Sequence, residues 1–247
     1  MTDGDQPATL AAPKKTFAVL EAMADAGGTV RVATLADELD YTRSTTYKHL
    51  ATLRELGYVV KEGVEYSLSY RFVAVGERVR QGSALYHAAK APVDQLAETT
   101  DETAGIVVKQ GSRVVDLYQS TNHPDEAALT APELHCSAPG KAILALLDDE
   151  GVDAVVEATG LPARTANTIT DREALDAELA TARERGIAIE RGEQRPDVHS
   201  VAVAFATDDT VAAVYVAGHA DRLSSKRLEE NVPGMVLGTV RRIQESR

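Results

Sequence analysis

The chain has 247 residues and a formal net charge of −12, with 38 Asp and Glu against 26 Lys and Arg. Its 44% of hydrophobic residues suffices for one large or two modest cores, no apolar run approaches the ~20 residues that span a bilayer, and one cysteine, Cys136, rules out an intrachain disulfide or a cysteine-based zinc module. Such acidity argues at first against nucleic acid, whose phosphates are neutralised by Lys and Arg. Residues 1–13 have two Asp before the first Lys and lack the basic start of a secretory signal, so they read as a disordered tail on a cytoplasmic protein. Arg outnumbers Lys by 18 to 8 and tryptophan is absent, a lysine-poor acidic composition that fits a halophilic archaeal source.

The charge is uneven. Residues 14–80 sum to +1, whereas residues 81–247 sum to −11, which points to two domains with different partners. In the first, a helix is expected over residues 14–25, with Phe17, Leu20 and Met23 at near-helical spacing and Gly27-Gly28 ending it. A second covers residues 32–39, Asp40-Tyr41 turns the chain, and a third runs from Thr42 or Arg43 to Gly57, a natural left-handed stop. On that third helix Thr46, Leu50, Leu53 and Gly57 share the stripe that must pack. Thr45, Lys48, His49 and Thr52 form a separate polar stripe. Arg43 and Ser44 crowd its N-terminal end, where free N–H groups suit a phosphate, and no acid occurs before Glu55. Tyr58-Val59-Val60, a Glu62-Gly63 turn and Glu65 to Leu68 then read as a two-stranded hairpin. This is the order of a winged helix–turn–helix, with the third helix entering the major groove; the bland alternative is a small bundle used for protein contacts.

Thr34-Leu35-Ala36-Asp37-Glu38-Leu39, Ser44 through Leu53, Leu56-Gly57-Tyr58 and Tyr66-Ser67-Leu68 resemble the DNA-binding domain of IclR-type transcriptional regulators. That family usually has Arg where Lys48 stands and Leu where His49 stands, so an operator sequence does not carry over.

Residues 72–82 read as a connecting helix and 85–99 as another. Strand-like runs follow at 105–109, 114–119, 200–206 and 211–217, with helices between the two pairs. Thr170-Asp171-Arg172-Glu173 is a capping box opening a helix that buries Leu175, Leu179 and Ala182 and stops at Gly186. The expected fold is α+β, an antiparallel sheet with helices packed on it. Cys136 to Ala145 reads as a helix start, with Pro139 at its first position, Ser137 or the next residue as cap, and N–H groups suited to a small anion. It is no P-loop, since His135 replaces the first Gly and Ala142 the Ser/Thr.

That segment, with Thr168-Ile169-Thr170, Arg183 to Gly186 and Ser200 to Val203, resembles the IclR effector-binding domain. The resemblance implies a GAF-like fold with a pocket on one sheet face for small organic or aromatic acids. It places effector contacts at Ser137, Ala138, Pro139, Glu190, Ser200, Tyr215 and Ala217. Pro139 lacks an N–H that relatives offer a carboxylate, and Tyr215 fills an often small position, shrinking the pocket or supplying a phenol. Glu190 suits a hydroxyl, as in a sugar acid; its plainer reading is a solvated strand-edge residue.

The expected organisation is therefore a tail (1–13), a winged helix–turn–helix domain (14–70), a linker helix (71–84) and an effector-binding domain (85–247). Such a chain would bind a pseudo-palindromic double-stranded operator as a homodimer or a dimer of dimers, under control of a small-molecule effector. Its DNA contacts would come from Arg43, Ser44, Thr45, Lys48, His49 and Thr52. The rival is a sensor that regulates a protein partner without touching DNA. No membrane, enzyme, cofactor or metal role is expected. There is no G-x-S-x-G for a nucleophile, and His87, His123, His135, His199, His219 and Cys136 offer no convincing ligand spacing, with His135-Cys136 merely adjacent. Arg222, Lys226 and Arg227 read as a solvated helix start.

Overall fold

The computed structural model describes residues 9–123 and 133–246, so residues 1–8 of the expected tail lie outside the described residues. The chain forms two compact units that divide between Arg80 and Gln81.

In the first unit, α1 (Ala11–Asp25) begins before the expected Lys14. Ala11 and Ala12 are strong helix formers, and Pro13 lies in the first turn, where its missing N–H breaks no helical bond. Its buried face is Val19, Ala22 and Met23, while Phe17 is 63% exposed. The steps from 17 to 20 to 23 drift around a 3.6-residue helix, whereas 19, 22 and 23 hold one side. Next come α2 (Val32–Glu38) and α3 (Arg43–Glu55). The turn between them places Asp40 at φ 52°, a left-handed conformation that a short polar side chain tolerates. Leu35, Ala36, Leu50, Leu53 and Thr46 are buried; the Thr46 hydroxyl donates to the Thr42 carbonyl at 3.2 Å, which removes the cost of burying it. Gly57 follows α3 at φ 78°, the left-handed stop that was expected. The hairpin of β2 (Val59–Glu62) and β3 (Glu65–Leu68) gains a short strand that the sequence reading lacked, β1 (Val30–Arg31), giving the order β1-β3-β2. Val30, Val59 and Tyr66 join the helices in one core. At the start of α4 (Arg71–Gln81), Phe72 packs on Tyr58 with ring centroids 5.0 Å apart, and the Arg71 guanidinium lies 4.9 Å over the same ring.

The second unit is an antiparallel five-stranded sheet with helices on both faces. In chain order it has α5 (Ala84–Thr100), β4 (Thr103–Gln110), β5 (Arg113–Ser120), α6 (Ala138–Ala145), α7 (Asp149–Thr159), α8 (Arg172–Arg185), β6 (Ala188–Arg191), β7 (Val198–Ala206), β8 (Val211–His219) and α9 (Val232–Glu245). The strand order is β5-β4-β8-β7-β6. Four strands match expected runs; β6 is the addition. Alternation along the strands sends Ala104, Ile106, Val201, Val203, Val214 and Val216 to a core with α5 and α9. It sends Val107, Ala188, Ala202, Ala213, Tyr215 and Ala217 to a second core with α6, α7 and α8. The cap of α8 is Asp171, whose carboxylate accepts the Ala174 N–H at 2.9 Å, rather than the expected Thr170. Asp one residue nearer the helix competes well with Thr for that role.

Arg222 and Arg227 form no solvated helix start. Both bond the fully buried Glu102 carboxylate, at 2.9 and 3.2 Å, and Arg227 also donates to the Thr100 carbonyl at 2.5 Å. A buried carboxylate needs such partners, and nothing in the local spacing around residue 222 discloses an acid 120 positions away.

Candidate functional site

The outer face of α3 follows from its buried one. With Thr46, Leu50 and Leu53 packed inward, the 100° step per residue turns Ser44, Lys48 and Thr52 outward, and all three are exposed, as is Arg43 at the first turn. Two expected contacts sit differently. His49 is half-buried and its Nδ1 lies 2.9 Å from the Thr16 hydroxyl on α1, so its ring is held against the neighbouring helix. Thr45 is also half-buried, with its hydroxyl 2.9 Å from that of Thr42, the residue whose side chain caps α3 by accepting the Thr45 N–H. Tyr47, which the sequence reading passed over, is 52% exposed on the flank beside Ser44 and Lys48. An aromatic ring left in solvent at the start of a cationic helix is a signal that the sequence already carried. Glu55 enters this face only in the last turn.

In the second unit, strand register collects most of the expected effector contacts. Glu190 faces Ser200 across β6 and β7, and Ser200 faces Ala217 across β7 and β8. Two residues along the same face, Tyr215 stands between Ala202 and Gly105. Ala138, at the start of α6, packs in the core that contains Tyr215 and Ala217. Among the described residues, Glu190 is no solvated edge: it is 1% exposed, though β6 is an edge strand. One carboxylate oxygen accepts the N–H groups of Glu193 and Gln194 at 2.6 and 3.3 Å, and the other accepts the Ser200 hydroxyl at 2.9 Å. Burial pushes its carboxyl above the usual range, and those bonds together with the Lys141 charge oppose the rise.

Tyr215 is fully buried, and its ring lies over Gly105, where a Cβ would come within 2.5 Å of it. Its hydroxyl accepts from Gln119 at 2.7 Å and donates to Asp116 at 3.2 Å. Burial and the Asp116 charge hold the phenol well above its ordinary range, so it is a neutral donor. Asp116 and Gln119 are three apart and would point to opposite faces of a regular strand. A bulge opposite Ile106/Val107 lets them pair with Val107 and Gly105, which bring both to the Tyr215 side. Nothing in the sequence marks that bulge.

The start of α6 differs from expectation in detail. Ser137 caps it, with its hydroxyl accepting the Gly140 N–H at 3.1 Å and donating to the Glu133 carbonyl at 2.6 Å. Ala138 is the first helical residue and Pro139 the second. Pro139 lacks an N–H and Gly140's is taken by the cap, so two donors of the expected anion site are gone. The Glu133–Leu134 backbone also lies against the helix: a Cβ on Gly140 would meet Glu133 O and Leu134 Cα at 2.5 Å. Gly140→Ala is therefore expected to destabilise the protein by roughly 1–3 kcal/mol, toward the upper end because both obstacles are backbone. Urea titration measures it, and an unchanged midpoint would show that residues 133–134 give way freely.

The buried charges of α6 lie outside the expected contacts. Lys141 is fully buried and donates to Glu193 at 2.6 Å and Glu178 at 2.9 Å. Among the described residues, Glu193 Oε2 and Gln194 Oε1 are buried without a hydrogen-bond partner. Burial pushes the Glu193 carboxyl up to about 7 against the pull of Lys141, with Glu190 and Glu178 adding to the rise. A lysine flanked by Gly140, Ala142, Ile143 and Leu144 was the available signal, because a charge within an apolar helix requires a partner acid. The same region brings together Glu133, His135 and Cys136, whose ligand atoms lie within 4.8 Å of one another although no ligand spacing was visible. The turn leading into α6 folds residue 133 back over 135 and 136.

A helix–turn–helix with an acid-poor outer face, carried on one chain with an α+β unit whose sheet gathers buried polar side chains, defines a two-domain transcriptional regulator. Residues 12–63 match the family model described as the IclR helix-turn-helix domain, and residues 78–245 match that described as bacterial transcriptional regulator IclR C-terminal. The chain belongs to the IclR family of transcriptional regulators, which are not enzymes. It is similar to the "probable HTH-type transcriptional regulator ArcR" of Halobacterium salinarum, 28% identical over 242 residues that cover 94% of this chain and 92% of that protein. It is also similar to the HTH-type transcriptional regulator KdgR of Escherichia coli, 26% identical over 235 residues, 92% and 89% of the two chains. The fold is shared with an IclR transcriptional regulator from Alicyclobacillus acidocaldarius (TM-score 0.83, 22% identity, 97% and 99% of the chains). An IclR homolog complexed with 4-hydroxybenzoate from Microbacterium hydrocarbonoxydans shares it as well (TM-score 0.78, 19% identity, 96% and 98%). Among the described residues, no helix is long and apolar enough to cross a membrane.

Proposed function

We propose that the protein binds a pseudo-palindromic double-stranded operator in the cytoplasm as a homodimer or dimer of dimers, and that a small organic acid modulates the binding. The observation that carries the DNA half is the outer face of α3, free of acids before Glu55 in a chain of net charge −12. Ser44, Lys48 and Thr52, with Tyr47, read base edges and nearby phosphates; Arg43 and the β2–β3 wing hold the backbone. Thr45 and His49 stand at the margin of that contact. The effector lies on the sheet face of Glu190, Ser200, Tyr215 and Ala217, beside Ser137, Ala138 and Pro139 at the start of α6. The relative crystallised with 4-hydroxybenzoate supports an organic acid, which would take the Ser200 and Tyr215 hydroxyls from their present acceptors, Glu190 and Asp116. Occupancy is transmitted to the DNA-binding unit through the 71–84 segment. With its acidity concentrated after residue 80, the protein holds DNA more by short-range polar contacts than by counterion release, which suits a halophilic source.

Selection from genomic fragments, with and without sugar, keto and aromatic acids, tests the reading. Enriched fragments are expected to share a pseudo-palindrome, and one acid class is expected to change their retention. Lys48→Ala is expected to lower affinity for the selected operator about tenfold, the scale of one lost base or phosphate contact. Its oligomeric state is expected to be unchanged. Absence of enrichment at every salt concentration would favour the sensor that regulates a protein partner.

A further inference from the structure

We infer that Glu133, His135 and Cys136 form a three-ligand site for a borderline-soft divalent cation, with Zn²⁺ as the best fit. His135 Nε2 lies 3.0 Å from the Pro162 carbonyl, which can only accept. That nitrogen therefore carries the ring proton and Nδ1 is left with its lone pair, the tautomer of a metal-binding histidine. Nδ1 faces Glu133 Oε2 at 3.8 Å, beyond hydrogen-bond range, and Cys136 Sγ faces the same oxygen at 3.9 Å. Ligand atoms around tetrahedral zinc stand about 3.3–3.8 Å apart, given bonds of about 2.0–2.3 Å. The three atoms, all within 4.8 Å of one another, thus need to close by only about an ångström.

The supporting contacts point the same way. Arg164 holds the other Glu133 oxygen at 2.5 Å, which orients Oε2 toward His135 and Cys136 as outer partners do for ligating carboxylates. His135 is 4% exposed and Cys136 fully buried, so neither is a casual surface donor. A cleft of about 530 Å³, lined by Glu133, His135, Pro162, Arg164 and Ser112, supplies an entry path and room for a water as fourth ligand. A nitrogen, oxygen and sulfur set suits Zn²⁺, whereas Mg²⁺ and Ca²⁺ call for oxygen alone. Binding exchanges the thiol proton, released to water, for the cation. A bound divalent cation stabilises the thiolate over the thiol, as metal ligation does for cysteine generally.

Full-length protein stripped with a chelator and titrated with Co²⁺ tests the site, because Cys136 is the single cysteine and any thiolate-to-cobalt charge-transfer band reports it alone. One Co²⁺ per chain with such a band, displaced by one Zn²⁺, is the expected result. Cys136→Ser is expected to lose the band, and His135→Gln and Glu133→Gln each to weaken Zn²⁺ binding at least tenfold while the circular dichroism spectrum is kept. The inference is overturned if the wild-type protein shows no thiolate band, an outcome that does not depend on any variant folding. It is equally overturned if Zn²⁺ affinity is the same in wild type, Cys136→Ser and His135→Gln.

Discussion

Lys141→Met is expected to lower the stability of the protein by about 1–3 kcal/mol near pH 8, less than the usual cost of a stranded buried charge because Glu193 can take up a proton instead. Methionine fills much of the lysine volume in α6, so the loss would not come from a cavity. It would come from Glu193, whose side chain is 11% exposed and whose Oε2 has no hydrogen-bond partner among the described residues. Glu178 is 33% exposed and can turn to water, so it contributes less. Adding Glu193→Gln to Lys141→Met removes the stranded charge and is expected to recover most of the loss, since neutral packing often replaces a buried ion pair without penalty. Urea denaturation of both variants measures this. A single variant no less stable than wild type would show that water reaches Glu193 and that the pair is effectively a surface one.

The contrast between Lys141 and the rest of α6 shows where sequence periodicity stops informing. In the first unit, burial follows local rules: Leu50 and Leu53 repeat at helical spacing, Gly57 stops the helix, and a two-residue turn at Gly63-Val64, one position past the expected Glu62-Gly63, closes the hairpin. Those rules fix which side of α3 packs, and Ser44, Lys48 and Thr52 are outward in consequence. They do not reveal which neighbour meets the flank of the helix. His49 turned out to face Thr16, 33 positions earlier, and Phe17 turned out exposed because α1 packs through Val19 and Met23. In the second unit, alternation located four strands, and their pairing aligned Glu190, Ser200 and Ala217 on one face. What was missing is long-range or irregular. The Lys141–Glu193 bond spans 52 positions, Glu102–Arg222 spans 120, and the bulge that brings Asp116 and Gln119 to Tyr215 has no local residue signature. Polar groups buried far apart in sequence find one another only when the sheet closes, so composition registers the charges but not their partners.

The same Glu193 sets an expected pH dependence. Its carboxyl titrates at about 7 in the folded protein against 4.5 for an unperturbed glutamate. Between those values the folded chain keeps a proton that the unfolded chain has released, so stability falls as pH rises from about 4.5 to about 7 and is level above. At about 1.4 kcal/mol for each pH unit of that interval, the loss is on the order of 3 kcal/mol. Glu190, raised by burial, adds in the same direction. Asp94 has the opposite sign: burial raises its carboxyl, but bonds from Tyr118 and Lys90 outweigh this and hold it below 3.8, so its contribution is lost only in stronger acid. Urea midpoints for the wild type are therefore expected to be higher at pH 5 than at pH 8. Glu193→Gln, which carries no titrating group there, is expected to flatten most of that slope, while leaving Lys141 with Glu178 as its charged partner. A slope unchanged by the substitution would assign the dependence to Glu190 or to the net acidity of the chain, since self-repulsion also grows with pH. Salt separates the last two, because it screens the diffuse repulsion far more than a carboxyl enclosed by Ser200 and two backbone amides.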